Sequence, residues 1–344
     1  MWTDLPTVAL ICGFLVAALV IFFSGLRMTS VADRLADRTG LGEAIVGGVL
    51  LGAATSLSGI IVSITAALDG RASLAFSNAV GGIAAQTVFL AVADMFYRRI
   101  NLEHAAADLA NVLQGLVLMV LLTIPFLAMT SPDVTIWAIH PLSLVIPLVY
   151  AGGLVASRSA RETPMWKPVE TSDTDEDTPD EEDAESAATS TARLAAIFGG
   201  LMLLMGTSGW VIAKTSSVLS DRMELSETLV GVLATAVVTS LPELVTTVAA
   251  VRRGALQLAV GGIIGGNTFD TLFLMASDVA YRDGSLYHAA GMGDFFWIAT
   301  ALLMTSVLLG GLILRQRQGP GKIGGESLLI LLIYAGAVLT QIFI

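Results

Sequence analysis

The sequence predicts an all-α integral membrane protein of about ten spanning helices, arranged as two inverted five-helix repeats. Its mean hydropathy of +0.78, with 55% hydrophobic and 14% charged residues over 344 positions, is too apolar for a soluble fold of this size. About ten apolar stretches approach the roughly 20 residues that a helix needs to cross some 30 Å of hydrocarbon. The chain also repeats itself without a gap, Leu41-Gly42-Glu43 aligning with Leu225-Ser226-Glu227 at a constant offset of 184 residues. In that register Thr55-Ser56-Leu57 meets Thr239-Ser240-Leu241, Gly81-Gly82 meets Gly265-Gly266, and Thr87, Phe89 and Leu90 meet Thr271, Phe273 and Leu274. Gly70 meets Gly254, and Asp94, Tyr97 and Arg98 meet Asp278, Tyr281 and Arg282. One unit has been duplicated.

In order, the first span, 6–26, holds the single cysteine, Cys12, so no disulfide framework or thiolate metal site is expected. The second, 42–68, opens on Glu43 and carries Thr55-Ser56. The third, 73–96, carries Asn78 and Gly81-Gly82 and ends near Asp94. Spans at 108–129 and 134–157 complete a first membrane repeat, 1–157, and a linker follows at 158–192. The second repeat, 193–344, holds spans at 193–218, 226–251, 256–279, 292–314 and 323–344. The first apolar stretch has no basic residue before it and no obvious small-residue cleavage site after it, unlike a cleavable signal. A prokaryotic plasma membrane is the expected location.

The formal charge of −11 is local. Residues 170–185 hold ten acids and no base, and without them nineteen acids face eighteen bases. So polar a segment cannot bury enough apolar area to order itself and reads as a disordered linker. Basic residues in short loops mark the cytoplasmic side. Loops after odd-numbered spans carry fourteen Lys and Arg, against four (Arg71, Lys214, Arg222 and Arg282) after even-numbered spans. Both termini are therefore expected outside and the acidic linker in the cytoplasm. Five spans on each side of that linker force the halves into the membrane in opposite directions. Such inversion sets matched segments face to face near the bilayer midplane, the plan of many secondary transporters.

The densest polar cluster at membrane depth is Thr239-Ser240-Leu241-Pro242-Glu243, followed by Gly265-Gly266-Asn267-Thr268-Phe269-Asp270. Pro242 lacks an N–H and clashes with the preceding turn, so it opens the helix and frees carbonyls near Thr239. The Ser240 hydroxyl and Glu243 carboxylate share a face with them, residues three and four apart being helix neighbours. Gly265 and Gly266 admit a close helix, and Asn267 and Asp270 direct oxygens the same way. An all-oxygen set with two carboxylates suits hard cations such as Na⁺ or Ca²⁺. Each charge at this depth costs at least about 2.5 kcal/mol on insertion scales.

Thr-Ser-Leu-Pro-Glu-Leu at 239–244, followed by Gly-Gly-Asn-Thr-Phe-Asp at 265–270, resembles the alpha-repeat signature of the cation/calcium exchanger superfamily, which includes the sodium/calcium exchangers. Ten spans, inverted halves, an outside N-terminus and a cytoplasmic central loop are also that family's plan, so the resemblance covers nearly the whole chain. It implies antiport of Na⁺ and Ca²⁺ by alternating access, with the first and sixth spans sliding across a core. Carried over by position, it implicates Thr239, Ser240, Glu243, Gly266 and Asp270 of the second repeat and Thr55 and Ser56 of the first, beside Asn267 from the residue pattern itself.

The first repeat departs from that signature, with Ser58-Gly59 in place of Pro-Glu, Ile83 opposite Asn267 and Gln86 opposite Asp270. Ca²⁺ takes about six to eight oxygens. The carbonyls of Thr55 and Thr239, the hydroxyls of Ser56, Ser58 and Ser240, and the side chains of Gln86, Glu243 and Asp270 reach that number with at most two carboxylate charges. Three functions fit: Na⁺/Ca²⁺ exchange, exchange of Na⁺ or another monovalent cation for H⁺ through Glu243, and a cation-binding membrane subunit that does not transport. No phosphate-binding loop, nucleophile arrangement or histidine cluster is present. No enzymatic activity, cofactor or nucleic-acid partner is expected beyond the transported ions and the bilayer, and the oligomeric state is open.

Other polar residues have plainer readings. Glu43 and Glu227 complement helix dipoles in first turns. Asp94 with Arg98, and Asp278 with Arg282, read as exposed ion pairs four residues apart. Lys214 and Asp69 belong at the interface, and His140 and Asn78 read as hydrogen-bonded packing residues.

Overall fold

The computed structural model describes residues 2–39, 52–97, 100–106, 108–165, 167, 169, 190–319 and 323–343. Among the described residues the protein is all-α, with eight helices long and apolar enough to cross a membrane and a ninth span formed by a bent pair. The first half runs through α1 (Thr7–Thr39), the short α2 (Gly52–Thr55) and α3 (Leu57–Leu68), α4 (Ala72–Asp94), α5 (Leu102–Ala105), α6 (Leu109–Thr130) and α7 (Val145–Glu162). The second runs through α8 (Thr191–Met223), α9 (Glu227–Val230), α10 (Ala236–Thr239), α11 (Leu241–Arg253), α12 (Leu256–Ala280), α13 (Leu286–Ala289), α14 (Met292–Leu314) and α15 (Gly325–Phe343). These are the two inverted five-helix repeats of a multi-pass membrane protein. The start of the second span, with Glu43, and most of the acidic linker lie outside the described residues. The helices flanking that linker run to Glu162 and from Thr191.

Helix lengths depart from the sequence reading for local reasons. No glycine or proline interrupts residues 26–39, so α1 continues well past the apolar run, to 33 residues. At about 1.5 Å per residue, α1 and the equally long α8 span roughly 50 Å, more than the hydrocarbon is thick. The fifth span begins later than 134. Trp137 and Ala138 adopt left-handed backbone angles (φ 55° and 64°), and Pro141 opens a turn of 3₁₀ helix, Pro141–Leu144, that leads into α7.

The centre of the molecule is α4 crossed by α12. Alanine- and glycine-rich, α4 is buried along almost its whole length, and its polar residues Ser77, Asn78, Gln86, Thr87 and Asp94 are buried with it. Gln86 meets Asp270 and Thr87 meets Asn267 across the pair, so the helices are antiparallel. The long helices α1 and α8 lie together outside this centre, also antiparallel. Arg222 reaches Thr3 and Thr7 at one end, and Met28 and Val31 pack with Leu194 and Phe198 at the other.

Each half is tied to the other by a buried carboxylate. Asp278, near the end of α12, accepts hydrogen bonds from the amides of Leu286 and His140 (both 2.8 Å) and from the Ser143 hydroxyl (2.5 Å). Asp94, ending α4, accepts from the amides of Leu102 (2.9 Å) and Gly324 (2.7 Å). Leu102 and Leu286, and His140 and Gly324, are again 184 residues apart. The third span of each repeat therefore holds the start of the other repeat's fifth span. The exposed pair expected between Asp278 and Arg282 does not form. Asp278 is fully buried among three donors, and Arg282 donates to the Val279 carbonyl. Asp94 is likewise buried, and Arg98 lies outside the described residues.

The remaining plain readings find places. Lys214 pairs with Asp69 (2.6 Å). Arg71 binds both Asp221 and Glu227, the latter at 2.9 Å, so Glu227 is an ion-pair partner as well as a first-turn acid. His140 Nδ1 accepts from the Leu142 amide (3.2 Å) and Nε2 meets the Ser131 hydroxyl (3.2 Å). Glu103 on α5 is fully buried beside Asp94 and Glu326. Burial first, and then those two carboxylates, hold its carboxyl well above the usual range.

Candidate cation site

Both repeats interrupt their second span at equivalent residues. In the second, the helix through Thr239 and the helix from Leu241 meet at Ser240 with a bend of 47°. Pro242 sits in the first turn of α11, where its missing N–H is tolerated. In the first, α2 and α3 break at Ser56 with no proline present. The hydrogen-bond pattern around the two breaks is nonetheless the same. The amides of Ser56 and Ile60 donate to the carbonyls of Gly52 and Ser56, and those of Ser240 and Leu244 to Ala236 and Ser240. The Ser58 hydroxyl, standing where Pro242 stands, donates to the Thr239 carbonyl at 3.4 Å.

The long helices cross these breaks through matched glycines. A Cβ on Gly25 would lie 2.4 Å from the Pro242 ring, and one on Gly209 would lie 2.5 Å from the Ser58 carbonyl oxygen. Only a residue without a side chain permits either approach.

Between the breaks and the α4–α12 crossing lies a small cavity, with about 10 Å³ open to the centre of a water-sized sphere. That is the room of about one water, and hence of one cation. The first half lines it with Ser56, Gly59, Asn78, Gly82 and Gln86, the second with Thr239, Ser240, Glu243, Asp270 and Phe273. Asp270 is held on both oxygens, Oδ1 by the Ser56 hydroxyl (2.7 Å) and Oδ2 by Gln86 Nε2 (2.6 Å). Gln86 Nε2 also approaches the Ser240 hydroxyl (3.4 Å), so equivalent serines serve Asp270 and Gln86 across the repeats. Thr55 apart, four buried oxygens of lining residues have no hydrogen-bond partner among the described residues: Glu243 Oε1 and Oε2, Gln86 Oε1 and Asn78 Oδ1. Buried acceptors are ordinarily paired, so a cluster of orphans marks a place built for something else.

Of the residues predicted from sequence, the structure brings Ser56, Gln86, Thr239, Ser240, Glu243 and Asp270 to one cavity. Thr55 is buried beside them, near Glu243, with its hydroxyl donating to Gly52 (3.2 Å). Gly266 backs Gln86, whose Oε1 would lie 3.0 Å from a Cβ at that position. Asn267 stands outside the lining, its amide nitrogen 3.0 Å from the Thr87 hydroxyl and its oxygen unpartnered. Sequence reasoning missed Gly59, Gly82 and Phe273 as lining residues. Asn78 makes the expected helix–helix bonds, to the Gly59 carbonyl (3.0 Å) and the Ser63 hydroxyl (2.9 Å), and also turns its oxygen toward the cavity.

Two inverted repeats whose broken helices enclose a buried cage of oxygen acceptors define a secondary transport protein. The sodium/calcium exchanger protein family matches residues 9–156 and 193–343, and the chain belongs to that family, whose members are cation antiporters. Inner membrane protein YrbG of Escherichia coli K12 is 25% identical over 335 residues, covering 92% of this chain and 91% of that protein. Putative antiporter CaxA of Alkalimonas amylolytica is 26% identical over 306 residues, covering 87% and 90%. The fold resembles the sodium-calcium exchanger NCX_Mj soaked with 100 mM Na⁺ and 10 mM Sr²⁺, with a TM-score of 0.62, 15% identity and coverage of 97% and 99%. For NCX_Mj soaked without Na⁺ and Ca²⁺ the TM-score is 0.59 at 16% identity, with the same coverage.

Proposed function

We propose that the protein exchanges Na⁺ for Ca²⁺ by alternating access at a site near the bilayer midplane, with Glu243 and Asp270 as its charged ligands. The carrying observation is the set of unpartnered oxygens of Glu243, Gln86 and Asn78 around a cavity of one-ion size. A hard cation satisfies such oxygens and offsets the cost of burying carboxylates. Thr239, Ser240, Ser56 and Thr55 complete the cage from the two breaks, while Gly266 and Asn267 support it from α12. In this reading α1 and α8 slide over the breaks on Gly25 and Gly209. The fourteen-to-four bias of basic residues supports termini outside and the acidic linker in the cytoplasm.

The test is Ca²⁺ uptake into proteoliposomes driven by an outward Na⁺ gradient, comparing the native chain with Glu243→Gln. Uptake should be present in the first and absent from the second; equal uptake in both would remove Glu243 from the site. One observation favours a second reading. With Gly59 and Gln86 in the first repeat, only two carboxylates serve the cavity, a charge that also suits Na⁺ exchanged for H⁺. A Na⁺-driven signal from a pH-sensitive dye in the same vesicles, without Ca²⁺ uptake, selects that reading.

A further inference from the structure

Position 59 is the counterpart of Glu243, yet more than the loss of a carboxylate separates the two sides of the cavity. A Cβ built on Gly59 would lie 2.8 Å from Phe273 Cε2 and 3.4 Å from Cζ. The ring occupies the volume that any side chain at 59 would enter. Phe273 is 3% exposed and is braced edge-on by Phe269 (centroids 6.3 Å apart), which is braced in turn by Tyr150 (6.1 Å). Phe89, its equivalent in the first repeat, does not line the cavity, so an aromatic ring enters from one side only. On the opposite side Glu243 lies against Thr55 and its oxygens have no further hydrogen-bond partner among the described residues, while both oxygens of Asp270 are held by Ser56 and Gln86.

We infer that Phe273 closes the first-repeat half of the cation site, leaving a single cation place centred on Glu243 that admits one Na⁺ at a time. The inference rests on the site reading given above and deepens it, making Phe273 the residue that sets how many ions the cavity takes. A second cation would need a second cavity, because the unpartnered oxygens of Gln86 and Asn78 line the same small space as Glu243. The volume for it is filled by carbon, and the second carboxylate, Asp270, lines the same cavity as Glu243. Phe273 follows Asp270 by three residues on α12, so one helix face supplies both a ligand and the plug.

Equilibrium binding of ²²Na⁺ to the purified full chain tests this, because Na⁺ is common to both exchange readings. The native protein should bind one Na⁺ with a Hill slope of one, and Glu243→Gln should lower its affinity at least tenfold. Gly59→Glu alone should still bind no more than one, the ring denying the new carboxylate its place. Gly59→Glu combined with Phe273→Ala should raise the stoichiometry to two. Native binding of two or more Na⁺, or a gain from Gly59→Glu alone, overturns the inference while leaving a Glu243-dependent site standing. Binding indifferent to Glu243→Gln instead removes the site reading, and the inference falls with it. Should Gly59→Glu not yield folded protein by gel filtration, native stoichiometry and the double variant decide the question.

Discussion

The broken helix at Ser56 and the broken helix at Ser240 share one backbone and differ in nearly everything that carries charge. The second has Pro242 and Glu243; the first has Ser58 and Gly59. Both keep the same hydrogen bonds around the break, and both accept a glycine of a long helix so closely that an added Cβ would overlap the break. The frame is thus the same whether or not a proline stands at the break, and a long helix packs against it in both halves. The two carboxylates that line the cavity, Glu243 and Asp270, both belong to the second repeat.

The largest expected difference tests that division of labour. Asp270→Asn should lower gradient-driven cation flux about 100-fold, and Gln86→Leu, at the equivalent position, about tenfold, the range seen when shells around bound metals are altered. Equal losses in initial-rate measurements would mean that the two repeats contribute alike. The reciprocal ties come next. Asp278→Ala and Asp94→Ala each strand buried donors and should cost about 3 kcal/mol, read as a lower thermal midpoint in detergent. A cost at only one of them would break the symmetry of the frame itself. Gly209→Ala meets the Ser58 backbone and Gly25→Ala meets a proline ring, so both should cost about 1–3 kcal/mol, the former more because a carbonyl yields less readily.

The smallest effect depends on pH. Glu103 has a raised carboxyl pKa when folded, so the stability of its neutral form is present in acid and is lost as pH rises through that raised value. Glu103→Gln should leave the thermal midpoint unchanged at pH 5 and raise it by about 2 °C at pH 9. A variant that melts like the native protein at both would remove Glu103 as the source of any alkaline loss. Its counterpart is Tyr287, which bears no carboxylate, so the slope belongs to one half of the molecule.

Most of the fold was legible because apolar length and the 184-residue repeat are properties of the chain alone. The break at Ser240 announced itself through Pro242. The break at Ser56 carries no local signal beyond its alignment, for no proline stands there and the glycine that packs on it, Gly209, is distant in sequence. Glu243 and Asp270 stood out because carboxylates at membrane depth are costly. Phe273 did not, because an apolar ring in an apolar helix looks like packing until its position against Gly59 is known. The ion pair expected at Asp278 and Arg282 failed for a related reason. Spacing along a helix says which side chains are near each other, whereas the amide of His140 and the hydroxyl of Ser143 arrive from the other half of the chain.

Those crossing ties also bear on how the protein is made. As the ribosome delivers the first half, Asp94 emerges long before Gly324, the backbone group it will hold, and must wait for the final span. His140 and Ser143 wait in turn for Asp278. Neither half completes its own architecture from its own residues, so maturation ends in one late event rather than two successive ones. Halves synthesised as separate polypeptides should be short-lived alone and should persist when they meet in the same bilayer.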